Sequence, residues 1–154
     1  MAATYKINDD FYDESFSLIA LHTTLEDFAL AYGLNQSIKA KFVRAKKNFN
    51  LAENKSFPIF EWEDEFNDMY WVLVANHSSE KELVTHDDLF KNETTYKTPR
   101  LIPEYKDVDY LLKIETEKDF DTNSLIKNIL MLPRVMAAYE ISTEKLKSKN
   151  NLIF

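Results

Sequence analysis

The sequence predicts an α+β fold, a mixed and largely antiparallel sheet carrying two strand–helix–strand units. Three observations predict it. Phe16–Thr23 has apolar residues on both faces, as a central strand requires. Two aromatic-rich runs, residues 57–63 and 69–75, flank an acidic turn and read as a hairpin. Residues 108–114 alternate in polarity and lead, through a capping cluster and an amphipathic stretch, into a closing strand at Val135–Ile141.

The elements follow in order. Thr23 and Glu26 have capping-box spacing, which predicts a helix beginning near Thr24. Leu25, Phe28, Ala29 and Tyr32 fall at helical spacing, and Gly33 is the expected stop. Residues 39–49 read as a second strand. In the hairpin, Pro58 cannot donate a ladder bond, which places the first strand at an edge. Residues 76–100 are polar and poorly periodic and predict a long excursion, with a short helix near 86–90. In residues 108–114 the alternation puts Val108, Tyr110, Leu112 and Ile114 on one face, with Asp109, Leu111, Lys113 and Glu115 on the other. Asp121, Thr122 or Asn123 can cap a helix carrying Leu125, Ile126, Ile129 and Leu130, which Pro133 ends. Residues 143–154 predict a solvated helix or frayed end closing on Leu152-Ile153-Phe154. Two strand–helix–strand units with antiparallel strands between them match a ferredoxin-like or ACT-like layout.

The chain has 154 residues and reads as one domain, long enough to bury ~68–70% of the surface its unfolded form exposes. Its 45% hydrophobic content, with 11 Phe, 8 Tyr and 2 Trp, supplies a core. The absence of cysteine excludes a disulfide framework, a thiolate metal site and a cysteine nucleophile. A single glycine, Gly33, excludes the Walker, Rossmann, kinase and nucleophile-elbow loops, which need several. No basic-then-apolar leader and no apolar stretch of ~20 residues is present, so a cytoplasmic protein without a membrane span is expected. A net charge of −7 opposes nucleic acid.

The residue clusters that could carry chemistry each have a plainer reading. Of the histidines His22, His77 and His86, the run His86-Asp87-Asp88 with His77 brought near it could ligate a metal, but no metal-ligand spacing accompanies it, so no metal is expected. Glu61, Glu63, Asp64, Glu65 and Asp68 cluster at the hairpin turn, which favours a solvated loop over paired catalytic carboxylates. Lys39, Lys41, Arg44, Lys46 and Lys47, interleaved with Phe42 and Phe49, could track a nucleic-acid backbone. On an edge strand, lysines serve equally to block aggregation. The aromatics of residues 57–71 lie at strand spacing and read as core. Nothing orders the Ser, His and Asp residues into a catalytic triad.

Ile102, Pro103 and Glu104, then three residues, then Val108, Asp109 and Tyr110 resemble the signature of the IPExxxVDY family of bacterial proteins, all six positions matching at the right spacing. That family carries no assigned activity, so the resemblance implies no catalytic residues. Pro103 fixes its own φ and biases Ile102 to an extended backbone. The motif is therefore expected to be chiefly architectural, with Asp109 and Glu104 accepting hydrogen bonds from loop amides. The functional reading of the same pair is an acid–base couple in a cleft. The expected function is a non-enzymatic binding or regulatory domain for a protein or small-molecule partner, without cofactor. The alternative is an Asp/Glu/His-based enzyme, with or without a metal. Strand edges and the apolar tail suggest a homodimer or a stable heteropartner.

Overall fold

The computed structural model describes residues 16–85 and 94–154. Among these residues the strands are β1 Phe16–Thr23, β2 Val43–Arg44, β3 Phe49–Ala52, β4 Lys55–Phe57, β5 Ile59–Asp64, β6 Met69–Ala75, β7 Glu82–Thr85, β8 Thr94–Lys97, β9 Tyr110–Thr116 and β10 Val135–Ile141. Two helices, α1 Asp27–Ser37 and α2 Thr122–Leu130, complete the regular structure with three short 3₁₀ turns. Six strands form the main sheet in the order β10-β1-β9-β6-β5-β2, every neighbouring pair antiparallel. Two further pairs, β3–β4 and β7–β8, stand apart.

The α+β expectation holds, and the strand order locates both crossover units. β9 and β10 run parallel with β1 between them, joined through α2. β1 and β6 likewise run parallel with β9 between them. The order β10-β1-β9-β6 is thus the ferredoxin-like interdigitation, extended past β6 by β5 and β2. The return strand of the first unit is β6. The expected strand at 39–49 reduces to the two residues of β2 and the start of β3, because Phe42 turns inward and is buried. Its lysines leave no apolar alternation to extend the pairing.

The sheet buries both faces, so its central strands read as continuous apolar runs. One face carries Ile19, Leu21, Trp71, Leu73, Leu112 and Ile114 under Leu30 and Leu34 of α1 and Leu125 and Ile129 of α2. The other carries Leu18, Ala20, Val72, Val74 and Leu111, covered by loop and tail residues Leu101, Ile102, Val108, Leu146 and Leu152. Val108 precedes the strand, so the two-residue period does not reach it. It packs on the opposite face from Tyr110, against expectation.

α1 departs most from its expected form. It starts at Asp27, and the Thr23 hydroxyl accepts from the amide of Leu25 and donates to the carbonyl of Arg134, so no capping box forms. Gly33 lies inside the helix, where an added Cβ would come within 3.4 Å of a Leu132 methyl. The reversal after α1 falls instead on Lys39, in left-handed backbone at φ 59°. The inward face is Leu30, Ala31 and Leu34, while Phe28 and Tyr32 stand 63% and 67% exposed.

The hairpin β5–β6 pairs as expected, but β5 is second from the edge, and Pro58 sits at the break between β4 and β5. Its carbonyl accepts from the amide of Ala75. The excursion at 76–100 contains the β7–β8 hairpin. The expected helix at 86–90, with His86, Asp87 and Asp88, lies outside the described residues. Asp121 caps α2 by accepting from the amide of Ser124. The tail is no frayed end: two 3₁₀ turns, Thr143–Lys145 and Lys149–Leu152, fold back and bury Leu146 and Leu152. No helix among the described residues is long and apolar enough to cross a membrane.

Candidate functional site

The six signature positions do not converge on one spot. Ile102 is extended at φ −118° and ψ 93°, and Pro103–Tyr105 forms a 3₁₀ turn that Ile102 starts by accepting from the amide of Tyr105. Ile102 and Val108 are buried in the second core. Glu104 faces the tail: its carboxylate accepts from the amides of Lys147 and Ser148, at 2.9 and 3.0 Å, and from the Ser148 hydroxyl. Asp109 faces the other way. It accepts from the amide of Thr23 at 2.9 Å and lies 3.4 Å from Nε2 of His77. Glu104 and Asp109 therefore serve different neighbours, and no acid–base couple joins them.

The residue that ties the motif loop together is Asn76, which is fully buried. Its side-chain amide donates to the carbonyls of Tyr105 and Val108, each at 2.9 Å, while its oxygen accepts from the amide of Ile102 at 2.8 Å. Its backbone adds bonds to Asp109 and Leu101. An asparagine after a strand, in a polar stretch, gives no periodic signal of this role, because all its side-chain partners are distant in sequence.

Partial burial pushes the Glu104 carboxyl up, but the Ser148 hydroxyl and the amides of Ser148, Glu104 and Lys147 outweigh it, so it titrates below the usual glutamate range. A lowered folded value means that the ionised form stabilises the tail contact above the unfolded value near ~4.3. The contribution is lost as pH falls through the lower folded value. The protection of the Lys147 and Ser148 amides, taken as exchange relative to the intrinsic rate at each pH, is expected to fall only below the ordinary glutamate range. Loss of protection already near pH ~6 would contradict this assignment.

Two hollows flank the sheet on its helical side. A hollow of about 490 Å³ is lined by Thr23, Thr24, Leu25, His77, Asp109 and Tyr110 among others. Burial first, then Arg100, lowers the His77 pKa against the pull of Asp109, so the imidazole is neutral at pH 7. The Tyr110 phenol donates to the carbonyl of Leu25 at 2.8 Å. Burial, followed by the charges of Asp27, Asp109 and Glu26, pushes its pKa up to about 12.

The larger hollow, about 640 Å³, opens between the end of α1, the turn end of β5–β6 and the 116–121 link. Counting back from the hairpin turn places Trp62 opposite Trp71, and the two indoles stack with centroids 5.2 Å apart. Phe120 meets Trp71 edge-on at 5.6 Å, and Phe42 meets both tryptophans edge-on. These are the chain's only tryptophans. Trp71 is buried, and its indole N–H has no hydrogen-bond acceptor among the described residues. That is rare for a group whose desolvation costs roughly 1–3 kcal/mol. The rim mixes signs: Asp64, Asp119 and Asp121 against Lys39 and Lys118, with Asn67 and Asn128 between. The sequence pattern identifies these aromatics only as core, since nothing local shows that Phe120 and the capping end of α2 stop short of closing over them.

The expected chemistry of the charged clusters largely dissolves into structure. Asp64 is buried and accepts from the amide and side chain of Asn67, while Glu61 accepts from the Tyr70 phenol. Both are therefore more than a solvated turn, whereas Glu65 and Asp68 are exposed. Arg44 donates to the carbonyls of Ala45 and Ile59. Phe42 is buried, and Phe49 packs edge-on against Phe154, so the aromatics among the lysines have neighbours of their own. No group of three or more His, Asp or Glu residues is placed to hold a metal ion among the described residues. Compared with known proteins, the chain matches no family model, no curated protein and no solved structure.

Proposed function

We propose that the chain is a non-enzymatic cytoplasmic binding domain that takes a small organic molecule with a ring-sized apolar face into the tryptophan-floored cleft. The signature motif is the frame that holds loop and tail in place, and the resemblance it carries belongs to the same reading. The observation that supports it is the stacked Trp62–Trp71 pair lining a hollow of ligand size. Aromatic faces supply dispersion and a quadrupole, while Asn67 and Asn128 on the lining carry amide donors and acceptors. The lack of cysteine agrees with a reducing compartment.

The same reading includes self-association. Leu152 is buried while Ile153 and Phe154 stay exposed, so the tail offers only its last two residues beside the sheet edge. A second reading, acid–base chemistry, is favoured only by the His77–Asp109 pair at the smaller hollow. There the nearby Thr23 hydroxyl already donates to the Arg134 carbonyl, and the Thr24 hydroxyl accepts from the Arg134 guanidinium.

The test exploits the position of both tryptophans. A fragment library of neutral heteroaromatic compounds, screened by intrinsic fluorescence, is expected to give hits that weaken at least roughly tenfold on Trp62→Ala, with Trp71 retained as reporter. Hits that bind the variant as well as the wild type, or no hits at millimolar concentration, would overturn the cleft as the binding site.

A further inference from the structure

The two edges of the main sheet are unlike. β2 closes one side with only two residues, set in the basic stretch Lys41 to Lys47. β10 ends the other with seven, Val135 to Ile141, containing no proline or lysine and a single charge, Glu140. Natural sheets blunt free edges by shortness, lysine, proline or bulges. β2 uses the first two devices. β10 shows only a register irregularity at its start, opposite His22 and Thr23.

We infer that β10 pairs antiparallel with β10 of a second copy of this chain, about a two-fold axis at Ala138 that runs perpendicular to the sheet. This deepens the self-association in the proposed function and rests on it. The register about Ala138 is the one that pairs all seven residues: Ala137 with Tyr139, Met136 with Glu140, and Val135 with Ile141 of the partner. The axis keeps both helical layers on one side, so the two α2 helices lie next to each other. The small Ala138 sits where the two strands cross the axis. The two Glu140 carboxylates fall on opposite sides of it, roughly 13 Å apart at about 3.3 Å per residue, beyond a Debye length of ~8 Å.

Side chains beside the edge support a second copy over a lone peptide strand. Thr122, Ile126 and Leu130 form one row along α2, and the Thr122 hydroxyl donates to Glu140 at 3.0 Å, which sets that row over β10. Leu130 and Met131 at its end, and Met136 on the strand, are exposed, Met131 and Met136 by 81% and 67%. A peptide would cover the strand only. A second copy brings an identical apolar row against this one, the self-complementary patch that a two-fold interface requires.

The chain has no cysteine, so an introduced one reports a single position. Opposed residues of an antiparallel pair lie about 4.5–5.5 Å apart, within disulfide reach. Wild-type protein at roughly 100 µM is expected to show twice the 18.1 kDa chain mass by light scattering. Under mild oxidant Ala138→Cys is expected to form a covalent dimer, while Val43→Cys on the other edge stays single. Ala138→Lys, which sets two ammonium groups face to face, is expected to weaken the dimer at least roughly tenfold. A wild-type monomer at that concentration would overturn both this interface and self-association. A dimer in which Ala138→Cys and Val43→Cys cross-link alike, or in which Ala138→Lys has no effect, would overturn the interface alone.

Discussion

Replacing Asn76 by alanine is expected to lower the free energy of unfolding by about 3 kcal/mol, the largest loss anticipated from any single polar residue of the chain. The substitution removes three side-chain hydrogen bonds, leaving the carbonyl of Val108 and the amide of Ile102 without partners, while the Tyr105 carbonyl keeps only the amide of Val108. Each buried orphan costs about 1–3 kcal/mol, and water entering the vacated space recovers part of the sum. Asn76→Asp is expected to be worse at neutral pH, since it exchanges the donating amide for an oxygen facing two carbonyls and adds a buried charge. It should recover partly on acidification, when the carboxyl gains a proton to donate. Urea unfolding with an unchanged m-value checks both variants. A loss under ~1 kcal/mol for alanine would show that Asn76 does not hold the loop.

The second large effect lies in the tail. Leu152→Ala truncates a fully buried side chain of the second core, a change that ordinarily costs about 2–5 kcal/mol. Here the cost has a ceiling. A chain end can detach locally, so the loss cannot exceed the free energy with which the tail docks. The docked state also uses the Leu152 carbonyl, which accepts from the buried Lys113 ammonium at 2.8 Å, while that ammonium lies 2.8 Å from Glu115 and over the rings of Phe16 and Phe154. The expected outcome is a loss of about 2–3 kcal/mol, with new protease cleavage between Leu146 and Phe154 before the sheet melts. A variant that resists protease like the wild type would show that the tail is held by Glu104 and Lys113 alone.

How far the fold is legible from sequence depends on the range of the interactions involved. β1, the β5–β6 hairpin, α2 and β10 each declare themselves through local period, turn chemistry or a cap, and each is found where its pattern puts it. α1 misleads because its large aromatics, Phe28 and Tyr32, sit on the solvent side, while its inward face uses the smaller Ala31 with Leu30 and Leu34. Gly33 looks like a stop, yet a lysine takes the left-handed position six residues later, which composition alone does not signal. Trp62 and Trp71 are legible as a cross-strand pair, but the cleft above them depends on where the 116–121 link passes. Asn76 and Lys113 act through partners far along the chain, and their type alone points to exposure. Of the signature motif, the extended Ile102 and the hydrogen-bonding carboxylates are readable, whereas the divergence of Glu104 and Asp109 follows from which neighbours the topology brings to each.

The place of β1 between β9 and β10 has a consequence for how the chain reaches this state. Both ladders of the first described strand are formed with strands from the last third of the chain. Closing such distant pairs spends loop entropy before any pairing returns it, which puts folding toward the slow, millisecond-to-second end of the range for small domains. During synthesis the apolar run from Leu18 to Leu21 leaves the ribosome long before either neighbour exists. Until residue 141 has emerged, β1 lacks one of its two flanking strands, and the nascent chain depends on chaperones or on transient contacts with the β5–β6 hairpin to stay out of aggregates.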